Sequence, residues 1–285
     1  MNKEDIFFKA TGLKVKNISL LGGMTNINFL VTSTDDEKFV LRISGINSNE
    51  LISREKEFYI QNKMHEFGFG VETIYFDSIS GTKITKFLSN AINLTPKNIS
   101  NFLPQIALHL KSLHNLKIKL KYEFNPFIEM QKYIQISKTS INLIPNFQDG
   151  LKLFWFLRDE IYNINRKYHD KDMILVPTHG DLVPENILIT DNNEVVFIDW
   201  EYAGANDPCW DLASVFVEGN LSKKEEDKFL KYYDPTQDEL EKIEIYKGLM
   251  DLLWSAWSIA KTSNEQNYLE YGQKRLNDAL RRKYF

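Results

Sequence analysis

VPTHGDLVPENILITDNNEVVFIDWEYAGANDPCWD, residues Val176 to Asp211, decides the fold. Two short apolar runs, Asn186 to Thr190 and Glu194 to Ile198, flank Asp191, Asn192 and Asn193, whose short polar side chains suit a tight hairpin turn. The hairpin fixes the spacing between His179, Asp181 and Asn186 before it and Asp199 after it. A loop carboxylate, an amide shortly after it and a second carboxylate at the end of the returning strand can meet at one point. Phosphoryl transfer from ATP needs such a point, because hard oxygen ligands must hold Mg²⁺ while another carboxylate orients the attacking hydroxyl. The pattern predicts Asp181 as the base and Asn186 and Asp199 as the metal ligands.

Composition bounds the rest. A chain of 285 residues, 43% hydrophobic and 26% charged, can bury a substantial core in one large domain or two lobes. Its net charge of -4 gives no general attraction to nucleic acid or to an anionic membrane. Cys209 is the only cysteine, so no intramolecular disulfide forms and a reducing, cytoplasmic setting is expected. No apolar run reaches membrane-spanning length, and Met1 to Phe8 lacks the apolar core of a signal peptide. The expected partner is a small-molecule substrate; the sequence does not speak to oligomeric state.

His-x-Asp-x4-Asn followed by a strand ending in Asp resembles the catalytic loop and metal-binding segment of the protein-kinase-like fold, in its small-molecule phosphotransferase form. Gly180 replaces the arginine of the protein-kinase triplet, and Trp200-Glu201 follows Asp199 in place of Phe-Gly, which argues against a protein kinase. The longer string Ile198-Asp199-Trp200-Glu201-Tyr202, then Asn206-Asp207-Pro208 and Asp211-Leu212-Ala213, is similar to the choline/ethanolamine kinase signature, most of all in its bacterial form. The resemblance implies an α+β, two-lobed fold. A small N-terminal nucleotide-binding lobe with an antiparallel sheet and a helix would span 1–88, and a larger, mainly helical catalytic and substrate-binding lobe 89–285.

Along the chain, Met1 to Thr11 reads as a short amphipathic helix ended by Gly12. Two apolar runs then bracket Gly22-Gly23-Met24-Thr25-Asn26, a turn whose glycines would let backbone N–H groups approach phosphate oxygens. The resemblance makes Gly22, Gly23, Thr25 and Asn26 an ATP-phosphate loop. It also assigns Arg42, on the strand Lys38 to Ile43, to phosphate contact, with Glu55 as its ion-pair partner on a helix from about Glu50 to Glu66; Glu57 stays open as the alternative. The runs Val71 to Asp77 and Lys83 to Leu88 complete the sheet, and the resemblance places the hinge and adenine contacts at Phe87 and Leu88. Thr95-Pro96 reads as a helix start. His109 and His114, without metal-ligand spacing, read as packing or surface residues.

Helical patterns cover Phe124 to Lys138, Gly150 to Tyr168, Leu212 to Gly219, Ser222 to Tyr233, Pro235 to about Lys261 and Tyr268 to Leu280. Trp254 and Trp257 share a helix face, a spacing that suits core packing as well as a binding surface. A quaternary ammonium has no N–H to donate and is recognised by aromatic faces plus a carboxylate. The resemblance carries that role onto Tyr202, Trp254, Trp257 and Tyr271, with Glu218 as the carboxylate. It implies a choline kinase using ATP and Mg²⁺, with His179 bracing the loop. The alternatives are kinases of the same fold acting on ethanolamine, thiamine or an aminoglycoside, or a catalytically dead choline- or nucleotide-binding protein.

Overall fold

The structure, a computed structural model, describes residues 2–23, 25–45, 48–262 and 267–284. Its elements run α1 (Lys3–Thr11), β1 (Val15–Gly22), β2 (Ile27–Ser33), β3 (Lys38–Ile43), α2 (Ser48–Leu51), α3 (Arg54–Glu66), β4 (Thr73–Phe76), β5 (Lys83–Lys86) and β6 (Ile92–Asn93). There follow α4 (Leu103–His114), α5 (Pro126–Ser137), α6 (Phe147–His169), β7 (Val176–Thr178), β8 (Ile187–Ile189), β9 (Val195–Phe197) and β10 (Gly204–Asn206). The chain closes with α7 (Cys209–Glu218), α8 (Lys223–Tyr233), α9 (Gln237–Lys261) and α10 (Leu269–Arg281). Two compact units form: Met1–Leu94 with Asn186–Tyr202, and Thr95–Glu185 with Ala203–Phe285. The hairpin segment after Asp181 thus packs with the N-terminal residues, where the sequence reading drew a single cut after 88.

In the first unit, five antiparallel strands lie in the order β1-β2-β3-β5-β4. Alternation sorts their side chains by face. Phe29 and Val31 of β2, Phe39 and Leu41 of β3 and Ile84 of β5 bury one face together with Phe7 of α1. Gly12, in the left-handed region at φ 74°, ends α1 and donates to Phe8 O. On the opposite face the β3–β5 register sets Arg42 directly across from Lys83. The helix expected from Glu50 to Glu66 is broken at Ile52-Ser53, because Ser53 turns extended and its side chain accepts the Lys56 N–H that opens α3.

β8 and β9 form the expected hairpin, with β6 added at its edge. Asn193, at φ 62°, closes the turn by donating its N–H to Thr190 O, while Thr190 N–H reaches Glu194 O. The backbone of Ile198 donates to Asn186 O, which ties the residue before Asp199 to the end of the loop that follows Asp181.

In the second unit, α5, α6, α7 and α10 all pack on α9, whose residues from Ile245 to Ile259 are buried. β7 pairs with β10. Thr95-Pro96 opens a turn rather than an α-helix: the Asn98 side chain accepts the Thr95 N–H, Asn98 and Ile99 donate back to Thr95 O, the chain continues as the 3₁₀ segment Ile99–Asn101, and α4 starts only at Leu103 with Pro104 in its first turn, where a missing N–H costs nothing. Among the described residues no helix is long and apolar enough to cross a membrane.

A left-handed backbone costs a side chain with a β-carbon branch about 1–2 kcal/mol. Asn193→Val is therefore expected to lower unfolding free energy by about that amount in urea titrations, and Asn193→Gly to leave it unchanged or raised. Equal stability of the valine variant would contradict the left-handed turn.

Candidate active site

The first unit concentrates charge beneath its sheet. Glu57, on α3 and with no exposed surface, receives Arg42 Nη1 at 2.6 Å and Lys83 Nζ at 3.0 Å, and Arg54 Nη1 at 2.7 Å on its other oxygen. Arg42 and Lys83 also converge on Asp199 Oδ1, at 2.9 and 3.2 Å. The Arg42 partner is therefore Glu57; Glu55 lies two residues earlier and is exposed, because the helical repeat turns it off the sheet-facing side. Lys83 is further fixed by Gln61 Oε1 at 2.9 Å, and Arg42 by Gly81 O at 3.0 Å.

Asp199 stands at φ 65°, a left-handed conformation that a non-glycine residue holds only when its surroundings impose it. Both cations meet its Oδ1, and Oδ2 has no protein partner among the described residues; its side chain is 29% exposed. The Ile198 backbone, just before Asp199, donates to Asn186 O, and a carboxylate together with an amide oxygen is a donor set that suits a hard divalent cation. The carboxylate oxygens of Glu57, Asp199 and Glu201 lie within 4.8 Å of one another, balanced by Arg42, Lys83 and Arg54.

Burial pushes the Glu57 and Asp199 carboxyls up, but Lys83 and Arg42 outweigh it and hold both below the usual carboxylate range. Glu201 goes the other way: burial raises it, Asp199 adds to the rise, and Arg42 opposes without overcoming it. Asn26, 3% exposed, spends its side chain on Glu201 Oε2 at 3.2 Å and on the Gly45 N–H at 3.4 Å, so the hairpin loop is tied to this cluster through Asn26. Gly23, at φ 138°, has no room for a β-carbon, which would meet Asn26 O. Met24 lies outside the described residues, and Thr25 is half-buried. Phe87 and Leu88 fall just past β5, half-buried, with the Phe87 N–H on Lys38 O at 3.1 Å.

In the second unit Asp181 sits in the loop after β7. Asp211, fully buried in the first turn of α7, accepts the His179 and Gly180 N–H groups, each at 2.8 Å, and His114 Nε2 at 3.1 Å. Trp210 Nε1 donates to Gly180 O at 2.8 Å. The buried His179 ring accepts the Asp181 N–H at Nδ1, 3.3 Å away, so it braces the loop. His114, bonded also to Tyr233 at 2.8 Å, is part of the brace and not a surface residue.

The same unit gathers Trp254, Trp257 and Tyr271. Trp257 has its ring centroid 6.3 Å from both Trp254 and Tyr271, edge to face, and 5.4 Å from Tyr268. Burial pushes the Tyr271 hydroxyl up, and the charges of Glu218 and Asp181 push it further, against Arg275. Glu218 gives Oε1 to Arg275 Nη1 at 2.7 Å. Tyr202 belongs to the first unit, in the turn Trp200–Tyr202, 8% exposed.

Sequence reading missed Lys83, Glu201, Asp211, Arg275 and Tyr268. Tyr268 and Arg275 carried a signal, three residues before and four after Tyr271, one face of one helix. Lys83 carried none locally, since it is placed by pairing with Arg42 on a strand far earlier in the chain.

A sheet-borne cation pair on a helix glutamate, an aspartate after a hairpin strand and a braced His-Gly-Asp loop define an ATP-dependent kinase of the protein-kinase-like fold. The chain belongs to the choline/ethanolamine kinase family, whose model matches residues 17–239. It is 34% identical over 276 residues to protein LicA of Haemophilus influenzae, covering 92% of this chain and 78% of that one. Among solved structures it is similar to choline kinase LicA from Streptococcus pneumoniae, with a TM-score of 0.87 and 30% identity over 97% of both chains. It is also similar to LicA in complex with AMP, at a TM-score of 0.85 and 29% identity over 98% of this chain and 97% of that one.

Removing one member of a buried ion-pair cluster leaves the others uncompensated. Glu57→Gln is expected to cost about 3 kcal/mol of stability by chemical denaturation, while Glu55→Gln leaves it unchanged. The depressed carboxyls contribute stability that is present above the unfolded carboxylate range and is lost as pH falls through their folded values; the raised Glu201 contributes with the opposite sign. Glu57→Gln should therefore flatten the acid limb of the stability–pH curve, and an acid limb as steep as that of the unaltered protein would contradict the cluster.

Proposed function

We propose that the protein is a Mg²⁺-dependent choline kinase, transferring the γ-phosphoryl group of ATP to the hydroxyl of choline to give phosphocholine and ADP. The observation that carries this reading is the aromatic corner of Trp254, Trp257, Tyr268 and Tyr271 in the unit that also holds the Asp181 loop, with the Asp181 charge felt at Tyr271. Indole and phenol faces attract a quaternary ammonium by about 0.5–2 kcal/mol each, and such a cation asks for no hydrogen-bond acceptors. Glu218, in the same unit, is the proposed carboxylate, and Tyr202 is assigned to choline from the family resemblance alone. The likeness to choline kinase LicA from Streptococcus pneumoniae supports the same substrate.

Residues 1–88 are assigned to the nucleotide and 89–285 to catalysis and the acceptor. Gly22, Gly23, Thr25 and Asn26 take the phosphates through backbone N–H groups, since the Asn26 side chain is already engaged. Arg42 adds positive charge, and Phe87 and Leu88 flank adenine. Asp199 and Asn186 would hold Mg²⁺, which supplies charge neutralisation on the phosphates.

Asp181 orients the choline hydroxyl and accepts its proton as the hydroxyl oxygen bonds to the γ-phosphorus. The bond from that phosphorus to the β,γ-bridging oxygen breaks, and ADP leaves with the electron pair. Lone, buried Cys209 fits a cytoplasmic setting.

Asp181→Ala is expected to lower kcat by about 10²-fold with the KM for choline kept, measured by ADP release. Asp199→Ala should abolish Mg²⁺-dependent turnover. Trp257→Ala should raise the KM for choline about tenfold, about 1.4 kcal/mol, with the KM for ATP unchanged. Near-normal turnover in the Asp181 variant would remove the base, and an unchanged choline KM in the Trp257 variant would return that indole to core packing.

A further inference from the structure

The candidate pocket carboxylate is not a bare anion. Glu218 Oε1 is bonded to Arg275 Nη1 at 2.7 Å, and the Arg275 Nε lies 2.9 Å from Asp251 Oδ1. Asp251, 1% exposed, turns its other oxygen to Arg282 Nη2 at 2.9 Å. The Arg275 guanidinium is itself 4% exposed and stands 5.6 Å over the Tyr271 ring. Two carboxylates and two guanidiniums thus alternate behind the aromatic corner, and their formal charges cancel. Asp251 lies on α9, less than one turn before Trp254, and Arg275 lies on α10 one turn after Tyr271. The same charge chain therefore fixes both helices that supply the aromatic faces.

We propose that Arg275 is a specificity-determining positioning residue: by pairing with Glu218 it withholds negative charge from the acceptor pocket and so favours a quaternary over a primary ammonium. The proposal rests on the choline-kinase reading of the pocket. A primary ammonium carries three N–H donors and a tight hydration shell, and loses that shell only to full acceptors or full negative charge. A Glu218 already engaged by a buried guanidinium offers it one oxygen, Oε2, and a reduced field. A trimethylated nitrogen has no N–H to satisfy and draws part of its attraction from aromatic faces, so it depends less on the charge left at Glu218. Pairing Glu218 therefore penalises ethanolamine more than choline. The strong upward pull on Arg275 from Glu218, Tyr271 and Asp251, against its burial, means that the guanidinium stays charged.

The test compares kcat/KM for choline and for ethanolamine, with the KM for ATP as control, in the unaltered protein, Arg275→Met, Arg275→Lys and Asp251→Asn. Choline turnover in the unaltered protein is read first, and its absence would refute the choline-kinase reading itself. Given that turnover, Arg275→Met is expected to lower the choline-to-ethanolamine ratio tenfold or more with the KM for ATP within twofold. Arg275→Lys, which keeps the charge, should return the ratio to within threefold of the unaltered value. Asp251→Asn removes the competing anion, drives Arg275 onto Glu218 and should raise the ratio at least threefold. A purely structural role would shift both substrates alike. A ratio unchanged in Arg275→Met overturns the proposal; where that variant fails to fold by thermal melting, a ratio unchanged or lowered in Asp251→Asn overturns it.

Discussion

A carboxylate with no exposed surface, Glu57, lies between Arg42 and Lys83, and the first unit is built so that it can. An isolated ionised carboxylate is not tolerated in such a place, so its cations must arrive with good geometry. The β3–β5 register delivers them from facing positions on neighbouring strands, and α3 brings the glutamate to that face. The same two cations then reach Asp199 Oδ1 and hold that residue in a left-handed conformation it would not choose alone. One interaction thus joins sheet register, helix placement and the posture of Asp199, the proposed metal ligand. Glu201 extends it to the glycine hairpin through Asn26.

The second unit uses the same device with a different carboxylate. Asp211, fully buried at the start of α7, has no cation strand to meet; it spends its oxygens on two successive backbone N–H groups of the His179-Gly180 peptide run and on His114. Gly180, at φ 86°, takes a left-handed conformation that a side chain would resist and so sets the direction in which the chain leaves that anchor toward Asp181. Asp181, the proposed base, is thus carried by a loop anchored at its foot, the support that a catalytic group on a loop requires. On α9 and α10 a charge chain of alternating sign plays the corresponding part for the aromatic faces.

Much of this was legible in the sequence wherever the cause is local. The Asn193 turn, the strands on either side of it, the Gly12 helix stop and the limits of β3 follow from short-range propensity and alternation. So does the grouping of Trp254 with Trp257, three residues apart on one helix. What was not legible depends on pairing between distant segments. Choosing Glu57 over Glu55 requires knowing which side of α3 meets the sheet, and among the dense charges of residues 54–57 no periodic apolar stripe tells it. Lys83 reads as an ordinary strand-opening lysine until its register with Arg42 is known. Ser53, a cap between apolar Leu51-Ile52 and the charged run that follows, splits a helix that charge patterning alone joins. Thr95-Pro96 does begin a helical turn, but it passes into the 3₁₀ segment Ile99–Asn101 before α4 begins, a break set where the chain meets its neighbours and not by the starting residues.

In the proposed reaction Asp181, on its braced loop, takes the proton of a hydroxyl carried by an ammonium on aromatic faces as that hydroxyl attacks the γ-phosphorus of ATP. That reaction is tested most directly by ADP release from the unaltered protein with ATP and Mg²⁺, comparing choline, ethanolamine and thiamine at matched concentrations. The account predicts a kcat/KM for choline at least tenfold above the other two, a discrimination of about 1.4 kcal/mol. Equal or greater efficiency on ethanolamine or thiamine would contradict it, leaving the kinase core in place and the aromatic corner as packing.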